Sequence, residues 1–373
     1  MAPPVLPPVP LFPSTPSIGF TRDDKLNRAV AAAVDELKTA RSGVAPVFRL
    51  AIIDLGGGSP LKWGGYNADT MDYIASEAKI AALYAAFALR DMIRRFAASK
   101  TISAVVASIG AKLGGTKPPK MPSLFDMLRA EMDPAILAIS HPLLAHTKQS
   151  ERLPDYDSMF VAPLSGMLDF TGAYRNSMRA MIVPSSNTGA MNCVHGIGYA
   201  YLNGAMKDAL LFKDGVGPWL AGDFIGQYTY ARIDSANDQG VAQAGTAFSI
   251  AKLMAIIMLH SVTLGADAYG QMETLLHDAV SGPDIPFLTR SPPDFTDNDL
   301  RIPRNKITHI KLGLGPLKSK NGGQSVGSEV WRLEGLFKPD KVYVLSYQNL
   351  DWTKTSSEDL AFVIRRAIQS YEN

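Results

Sequence analysis

Strand-like segments lie near both ends of this chain, and a long helical pattern lies between them. Near the start, residues 47–55 read VFRLAIIDL, and a turn leads to a second strand-like segment at 61–69. Three more, ITHIKLGL, SEVWRLEGLF and KVYVLSYQNL, follow between residues 307 and 350, separated by turns rich in Gly and Lys. Chain ends commonly lie close together in a domain. We therefore predict one antiparallel sheet that both ends of the chain build together.

Each end of the chain also carries an amphipathic helix with a capping signal, at residues 21–40 and 356–371. The predicted fold is an α/β fold in which terminal helices flank an antiparallel five-stranded sheet and an all-helical domain is inserted. The domains are predicted as a Pro-rich tail over 1–20, a sheet domain over 21–75 plus 301–373, and a helical domain over 76–300.

Composition excludes several classes of function. The chain has 373 residues and a net charge of +2, with no basic cluster suited to nucleic acid, and its apolar runs are too short to span a bilayer. Cys193 is the only cysteine and the six histidines are scattered, so we expect a buried thiol, no metal site and no cofactor. Residues 1–17 lack the basic and apolar regions of a signal peptide. Their prolines predict an extended, poorly ordered tail. The cellular compartment is not predicted.

Three short motifs occur in order along the chain. The first is an S-x-x-K formed by Ser76 and Lys79, which would lie side by side at the start of a helix. The second is an S-x-N formed by Ser185 and Asn187, and the third is the K-x-G that begins at Lys311, at the end of a strand. Each motif alone is weak, and a helix start is also where ordinary capping places a serine.

This ordered set resembles the serine β-lactamase and D,D-peptidase superfamily, and it looks closest to class A β-lactamases. The likeness extends to the flanking stretches GYNADTMDYIASEAKIAALYAAF and YRNSMRAMIVPSSNTGAMNCV and to the closing strand, strand and helix. It covers most of residues 20–373 and is thinnest at 110–165, which looks like an insertion. The resemblance implies a β-lactamase-like fold with its active site between the sheet and the helical domain.

The residue types suit acyl transfer from an amide, ester or lactam, in a small molecule or a peptide. Ser76 would be the nucleophile and Lys79 its base, if burial and a neighbouring cation keep the amine neutral. Ser185 would relay a proton to the leaving group and Asn187 would orient the substrate. Lys311 would face a substrate anion.

By resemblance, the oxyanion would be held by the backbone N–H groups of Ser76 and Leu314, with Gly313 beside them. Two departures matter. Leu312 stands where the superfamily usually has a hydroxyl residue that helps bind a substrate carboxylate. No E-x-x-N supplies a deacylating glutamate, and Asp234, in the similar D-S-A-N, is the alternative.

These departures favour an esterase, amidase or peptidase that acts through an acyl-Ser76 intermediate. The alternatives are a class A-like β-lactamase, and a sensor or transacylase that is acylated by β-lactams without turnover. Other motif matches are interpreted as structural; they are a second S-x-x-K at Ser249, a second K-x-G at Lys320, a Y-x-N at Tyr201, and a G-x-S-x-G around Ser325.

Overall fold

The computed structural model describes residues 9–113, 122–145, 147–161, 168–213, 215–225, 229, 231–290, 300–317 and 325–373, with the backbone alone for 102–113 and 266. The strands are β1 Phe20–Arg22, β2 Arg49–Asp54, β3 Leu61–Tyr66, β4 Asp72–Tyr73, β5 Phe160–Val161, β6 Asp169–Phe170, β7 Trp219–Leu220, β8 Gln243–Gly245, β9 Ile307–Pro316, β10 Ser325–Glu334 and β11 Val342–Leu350. The helices are α1 Asp24–Ala40, α2 Lys79–Leu113, α3 Leu124–Glu131, α4 Asp133–Ala138, α5 Gln149–Arg152, α6 Tyr156–Met159, α7 Gly172–Ile182, α8 Asn187–Ile197, α9 Tyr199–Asp208, α10 Ala247–Met258, α11 Ala266–Val280 and α12 Ser357–Glu372.

The main sheet joins the two ends of the chain, as predicted, in the order β1-β3-β2-β11-β10-β9. The expected five strands pair antiparallel throughout, so the α/β class is confirmed. The predicted strand count was one too low, because β1 adds a sixth strand parallel to β3. A strand of three residues is too short to show an alternating pattern in the sequence.

Helices cover both faces of this sheet. Residues 50–53 of β2 are all buried, which requires cover on both sides because successive side chains point to opposite faces. The two terminal helices α1 and α12 pack on each other, with α1 against β3, while α10 packs against β2, β10 and β11. Since α10 comes from the middle of the chain, the ranges given above for the two domains stay a prediction.

The described part of the Pro-rich tail is packed, which corrects the expectation of a poorly ordered segment. The Tyr201 hydroxyl donates to the carbonyl of Leu11 over 3.0 Å, and the Phe12 ring lies 5.1 Å from the Tyr201 ring. The Ser17 amide also donates to the carbonyl of Ser261 over 2.6 Å. Because prolines restrict the unfolded chain, fixing such a segment costs less conformational entropy than its lack of regular structure suggests.

Candidate active site

Ser76 lies in a tight turn between β4 and α2. The turn is a 3₁₀ segment, Ala75–Ala78, and it begins at Ala75 with a positive φ of 46°, a backbone state that L-residues seldom adopt and that clusters at functional sites. The Ser328 hydroxyl donates to the carbonyl of Ile74 over 2.9 Å and so ties the turn to β10. Ser76 itself is half-buried and lines a cleft.

Lys79, the first residue of α2, is fully buried and points to the second motif. Its Nζ donates to the Ser185 carbonyl over 2.6 Å and to Asn187 Oδ1 over 2.8 Å, and it lies 3.4 Å from Ser185 Oγ. Burial, reinforced by the positive charge of Lys311, lowers the pKa of Lys79 to about 6. At neutral pH the amine is therefore largely uncharged and able to accept a proton.

Two adjacent serines between α7 and α8 have separate roles. The Ser186 hydroxyl accepts from the Gly189 amide over 3.1 Å and so caps α8. Ser185, with a positive φ of 55°, turns its hydroxyl toward the lysines instead. The capping role thus belongs to Ser186, and the Ser185 hydroxyl is available to the two lysines.

Lys311 enters the same cluster from β9. It is almost completely buried, and its Nζ donates to Ser185 Oγ over 2.7 Å and to the Leu312 carbonyl over 2.8 Å. Burial lowers the pKa of Lys311 to about 7, against the opposing negative charges of Asp284, Glu77 and Glu329. Lys311 is therefore not a solvated strand residue, although it lies on a strand at the edge of the sheet.

Two buried acids beneath the lysines were not anticipated. Glu77, inside the S-x-x-K motif, accepts from the Ser346 hydroxyl over 2.8 Å and from Gln348 Nε2 over 3.1 Å. Glu329 on β10 accepts from the Phe287 amide over 2.9 Å and from the Tyr347 hydroxyl. Burial raises the pKa of each carboxyl to about 8. A glutamate within the apolar strand SEVWRL was the only sequence signal for this pair.

The K-x-G motif brings β9 against the turn that holds Ser76. A Cβ placed on Gly313 would lie 2.7 Å from both the Glu77 amide nitrogen and the Ile74 carbonyl oxygen, so only glycine fits there. Leu314, the next residue, lines the cleft beside Ser76. Leu312 is partly buried and packs against the hydrophobic core, so it brings no polar group to the cleft.

The cleft has a volume of about 260 Å³ and mixed charge. Two buried carboxylates, Asp223 and Asp238, line it together with Arg232, and neither aspartate was identified from the sequence. Asp234 is exposed and is not among the described residues that line this cleft. Its motif partner Asn237 has a structural contact, since its side-chain oxygen accepts from the Tyr73 amide over 2.8 Å.

The other motif matches occupy structural positions. Ser249 belongs to the cap of α10 through reciprocal contacts with Thr246. Tyr201 contacts the N-terminal segment, and Asn203 bonds to both backbone groups of Leu220. Ser325 begins a strand, whereas a nucleophile elbow needs a helix after it. Lys320 lies outside the described residues.

Cys193, as expected, is buried, and burial raises the pKa of its thiol to about 12. Within the described residues, no group of three His, Cys, Asp or Glu could hold a metal ion. Over the same part of the chain, no helix combines the length and apolar character needed to cross a bilayer.

In this α/β fold of β-lactamase-like type, hydrogen bonds join Lys79, Ser185, Asn187 and Lys311, and Asn187 lines the same cleft as Ser76. The chain is similar to a β-lactamase from Sphaerobacter thermophilus at 14% identity, covering 92% of this chain and 97% of that one with a TM-score of 0.44. It is also similar to a class A β-lactamase from Bacteroides cellulosilyticus, at 10% identity over 94% and 98% with a TM-score of 0.48. A third similar structure is PBP-A, at 14% identity over 95% and 98% with a TM-score of 0.45.

No protein-family model and no curated protein matches the chain. What the cleft does is therefore inferred from its own geometry.

Proposed function

We propose that this protein is a serine hydrolase that cleaves an ester or amide through an acyl-Ser76 intermediate. The observation that carries the proposal is the contact of one hydroxyl, Ser185 Oγ, with two buried lysine nitrogens, 2.7 Å from Lys311 and 3.4 Å from Lys79. Two amines are expensive to bury together. The adjacent cleft, lined by the half-buried Ser76 and by Asn187, gives them a chemical use.

The first half of the reaction follows from the protonation states. Neutral Lys79 accepts the proton of Ser76 Oγ as that oxygen attacks the substrate carbonyl. The tetrahedral oxyanion is held by the backbone N–H groups of Ser76 and Leu314. The leaving group takes a proton from the Ser185 hydroxyl, and Lys79 restores that proton through its contact with Ser185.

The second half returns Ser76 to its free form. Water enters after the leaving group departs, and neutral Lys79 removes a proton from it as it attacks the acyl carbonyl. The bond between the acyl carbon and Ser76 Oγ then breaks, the serine oxygen takes the proton back from Lys79, and the acid product leaves. Lys311 keeps a positive charge beside the substrate, and Asn187 offers its amide nitrogen while its oxygen binds Lys79. An ester or amide of a small molecule or peptide suits these reaction steps, because its leaving half diffuses away and admits water.

Two features separate this proposal from a β-lactamase. Leu312 supplies no hydroxyl for the carboxylate of a β-lactam, and no glutamate is among the described residues that line the cleft. The buried carboxylates of Asp223 and Asp238 favour one second candidate, a β-lactamase in which an aspartate activates the deacylating water. Kinetics with a penicillin and an ester distinguish this candidate from the proposed hydrolase.

Intact-mass spectrometry after exposure to a panel of activated esters and β-lactams tests the proposal. We expect a mass increase on the native chain and none on Ser76→Ala. Ser249→Ala and Ser325→Ala are matched controls, since both serines carry motif matches but lie in structural positions, and both should label normally. Labelling that survives in Ser76→Ala, or is absent from the native chain with every compound, would contradict it.

A further inference from the structure

A second cavity, of about 410 Å³, lies at the edge of the main sheet and shares no described lining residue with the serine cleft. Its walls come from β1, β3, α10 and the residues that follow α9. The volume falls within the range of about 300–1,000 Å³ that is usual for small-molecule pockets. Neither the proposed hydrolase chemistry nor the packing of the sheet gives this cavity a role.

Three aromatic side chains form its apolar wall. The rings of Trp63 and Phe248 stack with centroids 3.8 Å apart and 17° between their planes. The Phe20 ring meets Phe248 edge-on, with centroids 6.1 Å apart. Trp63 and Phe248 are stacked on each other, so these rings offer the cavity their remaining edges and faces. Such a wall favours a ligand with a flat apolar body, because edge-to-face and offset ring contacts add to the burial of apolar area.

Two cations line the same cavity as these rings. The Arg22 guanidinium lies 5.2 Å from the centre of the Trp63 ring, and Lys252 Nζ lies 5.3 Å from Phe20 and 5.5 Å from Phe248. Lys252 donates to the Leu210 carbonyl over 2.7 Å, and Arg22 donates to Asn27 Oδ1. In the described part of the chain, neither cation forms an ion pair with a carboxylate, so the pocket carries a positive charge that a ligand can match.

We infer that this cavity binds a small aromatic carboxylate, with its ring against Trp63, Phe248 and Phe20 and its carboxylate between Arg22 and Lys252. The partly buried position of Lys252 favours such a partner, since an anion at the cavity restores the interaction that the amine loses when water is excluded. The lysine of the unused S-x-x-K motif at Ser249 thereby acquires a binding role. The site is independent of Ser76 chemistry.

Isothermal titration of the full chain with 2-naphthoate, and separately with neutral 2-naphthalenemethanol, tests the inference. We expect the carboxylate to bind about tenfold more tightly than the alcohol, because a hydrogen bond to a charged group contributes at least that much. Lys252→Gln and Arg22→Gln should each weaken the carboxylate by about tenfold and leave the alcohol almost unchanged. Lys252→Arg should retain most of the affinity, since it keeps the charge.

Lys62→Gln is the matched control, because this lysine precedes Trp63 on β3 but pairs with Asp23, and neither residue is among the described residues that line the cavity. It should bind both compounds as the native chain does. Arg22 is exposed, so Arg22→Gln keeps the test valid even if Lys252→Gln is destabilised. Equal affinity for the two compounds, absence of binding, or carboxylate affinity that survives both charge removals would overturn the inference. Ser76→Ala should bind 2-naphthoate normally, so failure of the proposed hydrolase would leave this result unaffected.

Discussion

Lys311 Nζ donates a hydrogen bond to Ser185 Oγ over 2.7 Å, and this contact links the last motif of the chain to the second. The residues are separated by 126 positions, and Lys79 approaches the same hydroxyl from α2. A hydroxyl held in this way can pass a proton between the nucleophile's base and a leaving group, because it both donates and accepts. The relay assigned to Ser185 therefore rests on its contact with Lys79, and the hydrogen bond from Lys311 orients the hydroxyl.

The neighbouring serines allow a matched test of that relay. Ser185→Ala should lower kcat/KM for an amide or ester by about 10²–10⁴, the usual contribution of a positioned proton donor. Ser186→Ala should instead cost about 0.5–2 kcal/mol of stability through loss of the α8 cap, with kcat/KM close to that of the native chain. Steady-state kinetics and thermal melts of both variants measure the two effects. A Ser185→Ala enzyme with native kcat/KM would rule out the relay.

The two lysines predict a bell-shaped dependence of kcat/KM on pH. Lys79 accepts a proton only when neutral, so activity should rise with pH through its pKa of about 6. Lys311 serves as a cation, so activity should fall as the pH rises through its pKa of about 7. The expected optimum thus lies between these two values. A rate that increases steadily up to about pH 9, well above both pKa values, would contradict the role of Lys311.

Arginine substitutions separate the two lysines. Lys79→Arg should be nearly inactive at every pH, because a guanidinium stays protonated and cannot act as a base. Lys311→Arg should keep the cation and lose the descending limb of the pH profile. Profiles of kcat/KM for both variants, recorded beside melting curves, distinguish these results from misfolding. An active Lys79→Arg enzyme would refute the assignment of the base.

The close approach of β9 to the Ser76 turn makes Gly313 intolerant of a side chain. Gly313→Ala should destabilise the fold by about 1–3 kcal/mol, the usual cost of overpacking, and should lower kcat by displacing the strand that carries Leu314. Gly270 on α11 is the matched control, because a Cβ added there would meet open space. Gly270→Ala should stabilise the fold by about 0.5–1 kcal/mol. Denaturant unfolding and kcat report both changes, and a native-like Gly313→Ala enzyme would show that the strand can yield.

The sequence was sufficient to predict the sheet and the terminal helices, and it singled out Lys79, Ser185, Asn187 and Lys311, which hydrogen bonds join in the structure. Their catalytic roles, and that of Ser76, stay a prediction. A long segment with a regular apolar pattern indicates by itself whether it forms a helix or a strand. Three motifs in a fixed order restrict the folds in which the motifs can meet. The three-residue strand β1 and the packed tail could not be predicted, because each depends on a partner remote in sequence. The pattern of apolar residues in the sequence does not indicate which remote segment either of them contacts.

The carboxylates of the cleft show most clearly what could not be predicted from the sequence. Asp223 and Asp238 lie in segments without regular alternation, and only the folded backbone directs them into the cleft. Asp234 matched the pattern of a deacylating acid more closely, but its side chain is exposed. Its motif partner Asn237 accepts a hydrogen bond from the Tyr73 amide of β4. Spacing identifies side chains that share one element, whereas a loop orients each residue separately.

Deacylation is the step that separates an esterase from a β-lactamase. A β-lactam adduct keeps its opened ring tethered beside the acyl carbonyl, so water has less room than it has after an ordinary ester. Without a dedicated base, deacylation should be about 10²–10⁴ slower. We therefore expect a long-lived penicilloyl adduct, slow penicillin turnover, and clearly faster hydrolysis of a p-nitrophenyl ester.

Stopped-flow kinetics and time-resolved intact mass, on one penicillin and one p-nitrophenyl ester, measure both acylation and deacylation. Asp223→Asn and Asp238→Asn remove one cleft carboxylate each, and Asp234→Asn is the matched exposed control. Since Lys79 can activate water for the small acyl group, none of the three should slow ester turnover by more than a few-fold. Rapid penicillin turnover without an accumulating adduct would overturn this preference. If Asp223→Asn or Asp238→Asn then trapped the adduct while Asp234→Asn did not, that aspartate would be the deacylating base and the protein a β-lactamase.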